Sequence, residues 1–446
     1  MIALTHVCRT WRELFTAQPS LWTYLDLDDM GGDKACVYLE RSRSYPIGLS
    51  VRRAEDMFSH DPLFRVIPQV IGRLKSLSID GEPENVQDIT AHISRPAPLL
   101  EDLSISSSSQ FMPPRSPVLT STFFDGDLSS LHKLRLDNAL SELPWRNMVN
   151  LTSFTMYRLS PQGVTITQLL DFFEGAPRLH EVDLYSVTLS SGVQMGRLVS
   201  LACLKRMAIA YCRSSSVLLD HLVIPVGAQL RIEAKLLSSL IGDLLPRSLD
   251  NLKNFPNFTA IKLSIDGPSR DFMTFDGPNG QVSMILGTDS RISLILESLA
   301  QLDTSKTERF RIEDKISLSG ELVYRALLPM SDLRALTLYE CYSLHVFIRA
   351  LHPSANLPDV VVCPKLQELV LVLYDDGEVF DMKGVVGMAE ARASRGKKLE
   401  TVRIIDGRDE PDPNCVLELR KHVGRVEYNH QVRAIYDESM DGDEED

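Results

Sequence analysis

Apolar and polar residues alternate along this chain in one recurring unit: apolar, two residues, apolar, one residue, apolar. It occurs as Trp22-x-x-Leu25-x-Leu27, Leu74-x-x-Leu77-x-Ile79, Leu100-x-x-Leu103-x-Ile105 and Leu131-x-x-Leu134-x-Leu136. It continues as Leu151-x-x-Phe154-x-Met156, Leu179-x-x-Val182-x-Leu184 and Leu204-x-x-Met207-x-Ile209. After a poorer stretch it returns as Phe258-x-x-Ile261-x-Leu263, Leu333-x-x-Leu336-x-Leu338, Leu366-x-x-Leu369-x-Leu371 and Leu399-x-x-Val402-x-Ile404. From position 74 the first members advance by 26, 31, 20, 28 and 25 residues to 204, and the last two steps are both 33. A leucine-rich repeat runs about 20–29 residues, one strand and one return per unit. The pattern predicts short strands joined by returns, with some returns long.

Punctuation supports this register. Proline stands two residues before the first apolar position in Pro98-Leu99-Leu100, Pro177-Arg178-Leu179, Pro256-Asn257-Phe258 and Pro364-Lys365-Leu366. Proline ends a helix and holds its predecessor extended, so it marks the change from return to strand. Ile166, Leu169, Leu170 and Phe173 recur at helical spacing, as do Leu344, Phe347, Ile348 and Leu351. A single strand-and-return unit cannot bury its apolar face alone, so the expected fold is α/β: a solenoid with parallel strands on its concave face and helical or irregular returns on its convex face. Cys212 and Cys341 each follow the last apolar strand position by three, where the repeat places a small buried residue. Residues 214–330 read as degenerate repeats, with Leu219-x-x-Leu222-x-Ile224 out of step and a Gly/Pro-rich loop at Asp266–Gly280. The Ser104–Ser109 run reads as a loop.

At the N-terminus, Leu4, Val7, Cys8, Trp11, Leu14 and Phe15 share one helical face, and Pro19 ends the helix. A return helix over Asp33–Ser44 and a strand over Pro46–Val51 are expected next. The string Val7-Cys8-Arg9-Thr10-Trp11-Arg12-Glu13-Leu14, followed by Pro19-Ser20-Leu21-Trp22 and Leu25-Asp26-Leu27, resembles the second half of an F-box. With Tyr38-Leu39-Glu40-Arg41-Ser42 and Pro46-Ile47-Gly48-Leu49-Ser50-Val51, the first 55 or so residues are similar to fungal F-box proteins with degenerate leucine-rich repeats. The resemblance implies a substrate-receptor subunit of an SCF-type cullin–RING ubiquitin ligase. Its Val7, Cys8, Trp11 and Leu14 would grip a Skp-type adaptor, and its repeats would hold a protein substrate. The Leu-Pro-x-Glu-type stretch and helix that usually open an F-box lie ahead of the matched half. The expected organisation is a partial F-box-like segment over 1–21, an irregular solenoid over 22–430 and an acidic disordered tail over 431–446.

Composition narrows the classes. Hydrophobic residues make up 44% of the 446, charged residues 24%, and the mean hydropathy is -0.05, all globular values. Net charge is -13; the seven acids of Asp437–Asp446 account for part of it and leave -6 elsewhere. A mildly acidic body argues against nucleic acid as a partner. Apolar runs fall far short of the about 20 residues of a membrane helix, so no membrane partner is expected. Seven scattered cysteines do not form a disulfide framework. The expected location is the cytoplasm, the nucleus or both.

No catalytic signature stands in the sequence: no His-Glu-x-x-His, Gly-x-Ser-x-Gly, phosphate-binding Gly-Lys-Ser/Thr loop or Cys-x-x-Cys pair. The ten histidines have no metal-ligand spacing. A non-enzymatic protein without cofactor or metal is expected. Residues between the apolar strand positions line the opposite, concave face. That places Lys133, Arg135 and Asp137, then Ser153, Thr155 and Tyr157, then Glu181, Asp183 and Tyr185, then Arg206 on one surface. Tyrosine and arginine anchor many protein interfaces, so Lys133, Arg135, Tyr157, Asp183, Tyr185 and Arg206 are the expected partner-binding set. The alternative is a leucine-rich-repeat scaffold that has lost adaptor binding.

Overall fold

The computed structural model describes residues 8–53, 62–108, 116–120, 122–141, 148–159, 164–190, 196–233, 244–255, 257–265, 271–286, 296–297, 299, 302–315, 317–353, 360–373, 381–406 and 412–429. These form a mixed α/β protein with ten described α-helices, strands that pair mostly in parallel, and no closed barrel. The chain divides into two compact units, Met1–Pro225 and Val226–Asp446.

The first unit holds β1 (Tyr24–Asp26), β2 (Ile47–Arg53), β3 (Leu74–Gly81), β4 (Asp102–Ser107), β5 (Val118–Leu119), β6 (Lys133–Asp137), β7 (Leu140–Ser141), β8 (Ser153–Tyr157), β9 (Glu181–Tyr185), β10 (Val199–Ser200), β11 (Arg206–Ala210) and β12 (Leu222–Val223). Strands β1, β2, β3, β4, β6, β8, β9 and β11 pair in that order, every pair parallel. The register keeps like with like: Leu103 lies opposite Leu134, Leu134 opposite Phe154, Phe154 opposite Val182, and Val182 opposite Met207. Pairs β5–β7 and β10–β12 are separate two-stranded ladders.

Two backbone devices recur at the strand ends. Strands β4, β6, β8, β9 and β11 are each entered by a tight turn in which the first apolar residue donates its N–H to the carbonyl three residues back: Leu100 to Ala97, Leu131 to Leu128, Leu151 to Met148, Leu179 to Ala176, Leu204 to Leu201. Strands β6, β8 and β9 are left through a residue in the left-handed region, Asn138, Arg158 and Ser186 at φ 50°, 52° and 55°. That conformation is unfavourable without glycine. Here it turns the N–H onto the end of the next strand, so Asn138 donates to Tyr157, Arg158 to Tyr185 and Ser186 to Ala210 at 2.9, 2.8 and 2.7 Å. The turn thus extends the ladder by one bond while sending the chain into its return.

The second unit holds β13 (Gln229–Glu233), β14 (Ala260–Ile265), β15 (Asp271–Gly277), β16 (Gly280–Leu286), β17 (Arg309–Asp314), β18 (Ala335–Tyr339), β19 (Glu368–Leu373), β20 (Thr401–Asp406) and β21 (Arg425–Asn429). From β14 the strands β17, β18, β19, β20 and β21 follow in parallel. The same devices appear: Leu333 turns onto Met330, Leu366 onto Cys363, and left-handed Glu340 donates to Val372 at 2.8 Å. On the other side of β14 the pattern breaks. β15 is antiparallel to both β14 and β16, and β16 is parallel to β13.

Of the eleven apolar triplets, every position except Leu27 is buried. Leu103, Leu134, Leu184, Leu336 and Leu369 are each at most 1% exposed. Helical returns sit where the spacing put them, at Ile166–Gly175 and Leu344–Leu351, and Thr165 and Gln168 form a reciprocal cap at the start of the first. The expected helix and strand near the N-terminus are Leu27–Ser42 and β2.

Four expectations are corrected. Ser104–Ser107 belong to β4 rather than a loop, because Leu103 and Ile105 alternate with them across the sheet. The expected loop at 266–280 contains β15, whose Met273 and Phe275 are buried by the same alternation. Its turn demands glycine: a Cβ on Gly277 would stand 2.8 Å from Phe258 Cα, and Gly280 has φ +131°. The Leu219/Leu222 match is the end of the helix Ser215–Leu219 and the short strand β12, outside the main ladder. Finally, Asp137 is buried instead of lining an open surface, for a reason given below.

Candidate functional site

The side chains between the buried positions of β6, β8, β9 and β11 form three rows across neighbouring strands. The first is Lys133, Ser153, Glu181 and Arg206; the second is Arg135, Thr155, Asp183 and Ala208; the third is Asp137, Tyr157, Tyr185 and Ala210. Lys133, Arg135, Tyr157, Asp183, Tyr185 and Arg206 therefore share one face of one sheet. Lys133, Arg135 and Arg206 are exposed, Tyr185 is 40% exposed, and Tyr157 and Asp183 are half-buried.

Their contacts split the set in two. Arg135 lies over the Tyr157 ring, its guanidinium carbon 5.0 Å from the centroid. The Tyr157 and Tyr185 rings are 5.7 Å apart, and Tyr185 meets Tyr211 edge-on at 5.1 Å. This gives a run of three tyrosines with a cation at one end. Arg206 instead faces carboxylates, Glu181 at 3.7 Å and Asp183 at 3.9 Å. Burial pushes the Asp102 carboxyl upward, and the positive charge of Lys133 in the next strand partly offsets it.

Residues outside the expected set complete the face. Arg158, the left-handed residue after β8, grips Asp137 through two bonds of 2.7 and 2.6 Å. The bidentate fork removes Asp137 from the open surface, and bonding to that carboxylate holds the arginine above its ordinary value. Tyr211 occupies the equivalent position after β11. The sequence signal for both was their place directly after a strand, which the alternation rule does not cover.

The second unit carries its own polar-face features. Lys262 lies over Phe272 at 5.0 Å and Arg311 over Tyr339 at 4.6 Å. Beside Tyr339, Val370, Val372 and Ile405 are buried as a small apolar cluster. Strand β19 is thus apolar on both faces, legible in Glu-Leu-Val-Leu-Val-Leu but passed over by a search for one-sided spacing.

The F-box-like segment forms the helix Arg9–Ala17, none of whose residues is buried; Trp11 is 44% and Leu14 66% exposed, and Cys8 precedes it exposed. Val7 lies outside the described residues. Trp22, fully buried, donates its indole N–H to the Phe15 carbonyl at 2.8 Å, packs on Tyr38 and lies under Arg41. It fastens the end of the helix while the apolar side chains of Trp11 and Leu14 stay in solvent.

Desolvation pushes the buried Cys363 thiol up to about 12 and the half-buried Cys212 thiol up to about 11, and raises half-buried Cys341 likewise. Cys212 and Cys341 donate to the carbonyls of Leu184 and Ile312 on the neighbouring strands, as expected of small residues at the strand-to-loop turn. Among the described residues no group of three or more His, Cys, Asp or Glu side chains is placed to hold a metal ion, and no helix is long and apolar enough to cross a membrane. In comparisons with known proteins, no family model matches the chain and no curated protein matches it.

Proposed function

We propose that this protein is a non-catalytic binding subunit: a leucine-rich-repeat solenoid with an F-box-like start, serving as a substrate receptor of an SCF-type cullin–RING ubiquitin ligase. The observation that carries the repeat reading is the recurrence of one entry turn, one buried triplet and one left-handed exit at β6, β8, β9, β11 and β18. A repeat that reproduces its backbone hydrogen bonds is a stacking unit, and a stacked array offers neighbouring strands as a binding surface. The ligase reading rests on the resemblance of the segment Cys8–Leu14 and Pro19–Trp22 to an F-box. It is supported by the placement of Trp11 and Leu14, apolar and exposed on a helix whose end is fastened by Trp22. Trp11 and Leu14 stand three apart and so are neighbours on one side of the helix, and contiguous exposed apolar surface is where partners dock. The substrate-holding face is the tyrosine–arginine surface of β6, β8, β9 and β11.

The test is proximity labelling and affinity capture with wild type and a Tyr157→Ala/Tyr185→Ala variant, with thermal melting alongside. The variant should lose a defined subset of captured proteins at a nearly unchanged melting temperature, because neither ring belongs to the core behind the sheet. The same captured proteins should carry less ubiquitin in cells expressing the variant. An unchanged partner list at unchanged melting temperature would move the binding site elsewhere.

A further inference from the structure

Arg206 and Arg158 have carboxylate partners on this face; Arg135 has none among the described residues. Its guanidinium carbon stands over the Tyr157 ring, 5.0 Å from the centroid, and its N–H donors meet no carboxylate among the described residues. Its register neighbours on either side are Ser104 and Thr155, both hydroxyls and both uncharged. An exposed cation, oriented by an aromatic ring and flanked by hydroxyls, has the donor geometry for a planar carboxylate. The acids nearby face other cations: Asp137 is bound by Arg158, Glu181 and Asp183 face Arg206, and Asp102 lies opposite Lys133. Their presence also disfavours a polyanion, which would meet several like charges at once. Beyond Tyr157, Tyr185 and Tyr211 offer ring surface with polar tips, suited to one apolar side chain.

From these observations we infer that the face recognises an extended segment of a partner protein that carries one acidic residue, with that Asp or Glu on Arg135 and an apolar side chain on Tyr185 and Tyr211. The inference deepens the reading of this sheet as a binding face and rests on it. Arg135 and Tyr185 are two strands apart and one row apart, which places their side chains about 12 Å from each other. An extended segment rises about 3.3 Å per residue, so the acid and the apolar residue stand three to four positions apart. A single Arg–carboxylate fork gives orientation, and the ring contact gives area.

A random-peptide display library selected on the full chain, with counter-selection on the Arg135→Gln variant, tests this. The expected result is enrichment of Asp or Glu three or four positions from a Leu, Phe or similar residue. Synthetic peptides of the enriched sequence should bind Arg135→Gln about tenfold more weakly, the size of one charged hydrogen-bonded contact. Arg135→Lys should retain part of the binding, since it keeps charge but loses the planar fork. Circular dichroism and melting of each variant control for folding. Enriched peptides without acids that still depend on Tyr185 would overturn the carboxylate assignment while leaving the binding face in place. Enrichment that is indifferent to Arg135, Tyr157 and Tyr185 alike would overturn both.

Discussion

At the scale of single residues, the polar groups of the sheets are held by pairings whose removal has a calculable sign. Arg158→Ala would leave the nearly buried Asp137 carboxylate without its fork. More than half of the arginine side chain is in solvent, so screening limits the loss to about 1 kcal/mol, measurable as a shift in the urea midpoint. Asp314 is a different case. It is fully buried, and burial pushes its carboxyl above the ordinary 3.8. A raised folded-state value means that the unfolded chain ionises first. Its contribution to stability is therefore present below that ordinary value and lost as pH rises through the folded one. Asp314→Asn should remove this loss. The advantage of the variant in melting temperature should be smallest near pH 3 and grow toward about pH 7. An offset that is the same at every pH would show that ionisation of Asp314 is not the cause. Asn138 adds a third test. It is buried and left-handed, its amide donates to the Ser107 carbonyl at 3.2 Å, and its carbonyl accepts from Ser116 at 2.7 Å. Asn138→Ala should destabilise by about 1–3 kcal/mol, since both partners are orphaned and the backbone is strained.

At the scale of elements, the apolar triplet decides stability. Leu134→Ala in β6 and Leu336→Ala in β18 each empty a fully packed position and should each cost about 2–5 kcal/mol by denaturant titration. A loss below about 1 kcal/mol at both would mean that the strands are not held by this face. The triplets made the parallel strands legible because a two-residue alternation admits one inward face, and prolines 98, 177 and 364 fixed where each strand begins. What stayed hidden obeys other rules. Strand β17 lacks an apolar first member: Thr307 is buried there in place of leucine, so Phe310 and Ile312 did not register as a repeat. The β15–β16 hairpin was obscured by its own Gly277-Pro278-Asn279-Gly280 turn, whose composition reads as loop although the flanks are strand. In the candidate site, alternation found Arg135, Tyr157 and Tyr185 together. It could not find Arg158 or Tyr211, which reach the same face through the left-handed turn that ends a strand. Nor could it tell that Asp137 would be consumed by an ion pair.

At the scale of the whole molecule, the chain comprises two units, each with a run of parallel strands, and an N-terminal helix with no buried residue. The parallel register explains how the polar rows come to lie side by side. The proposed attachment to a ligase rests on the N-terminal helix. It is tested by capture on a purified Skp-type adaptor, using the chain extended with an F-box first half, the same extended chain carrying Trp11→Ala and Leu14→Ala, and the unextended chain. The account expects clear retention of the extended chain, little retention of the unextended one, and loss in the double variant with its melting temperature unchanged, since neither side chain is buried. No retention of the extended chain, or retention indifferent to Trp11 and Leu14, would contradict it.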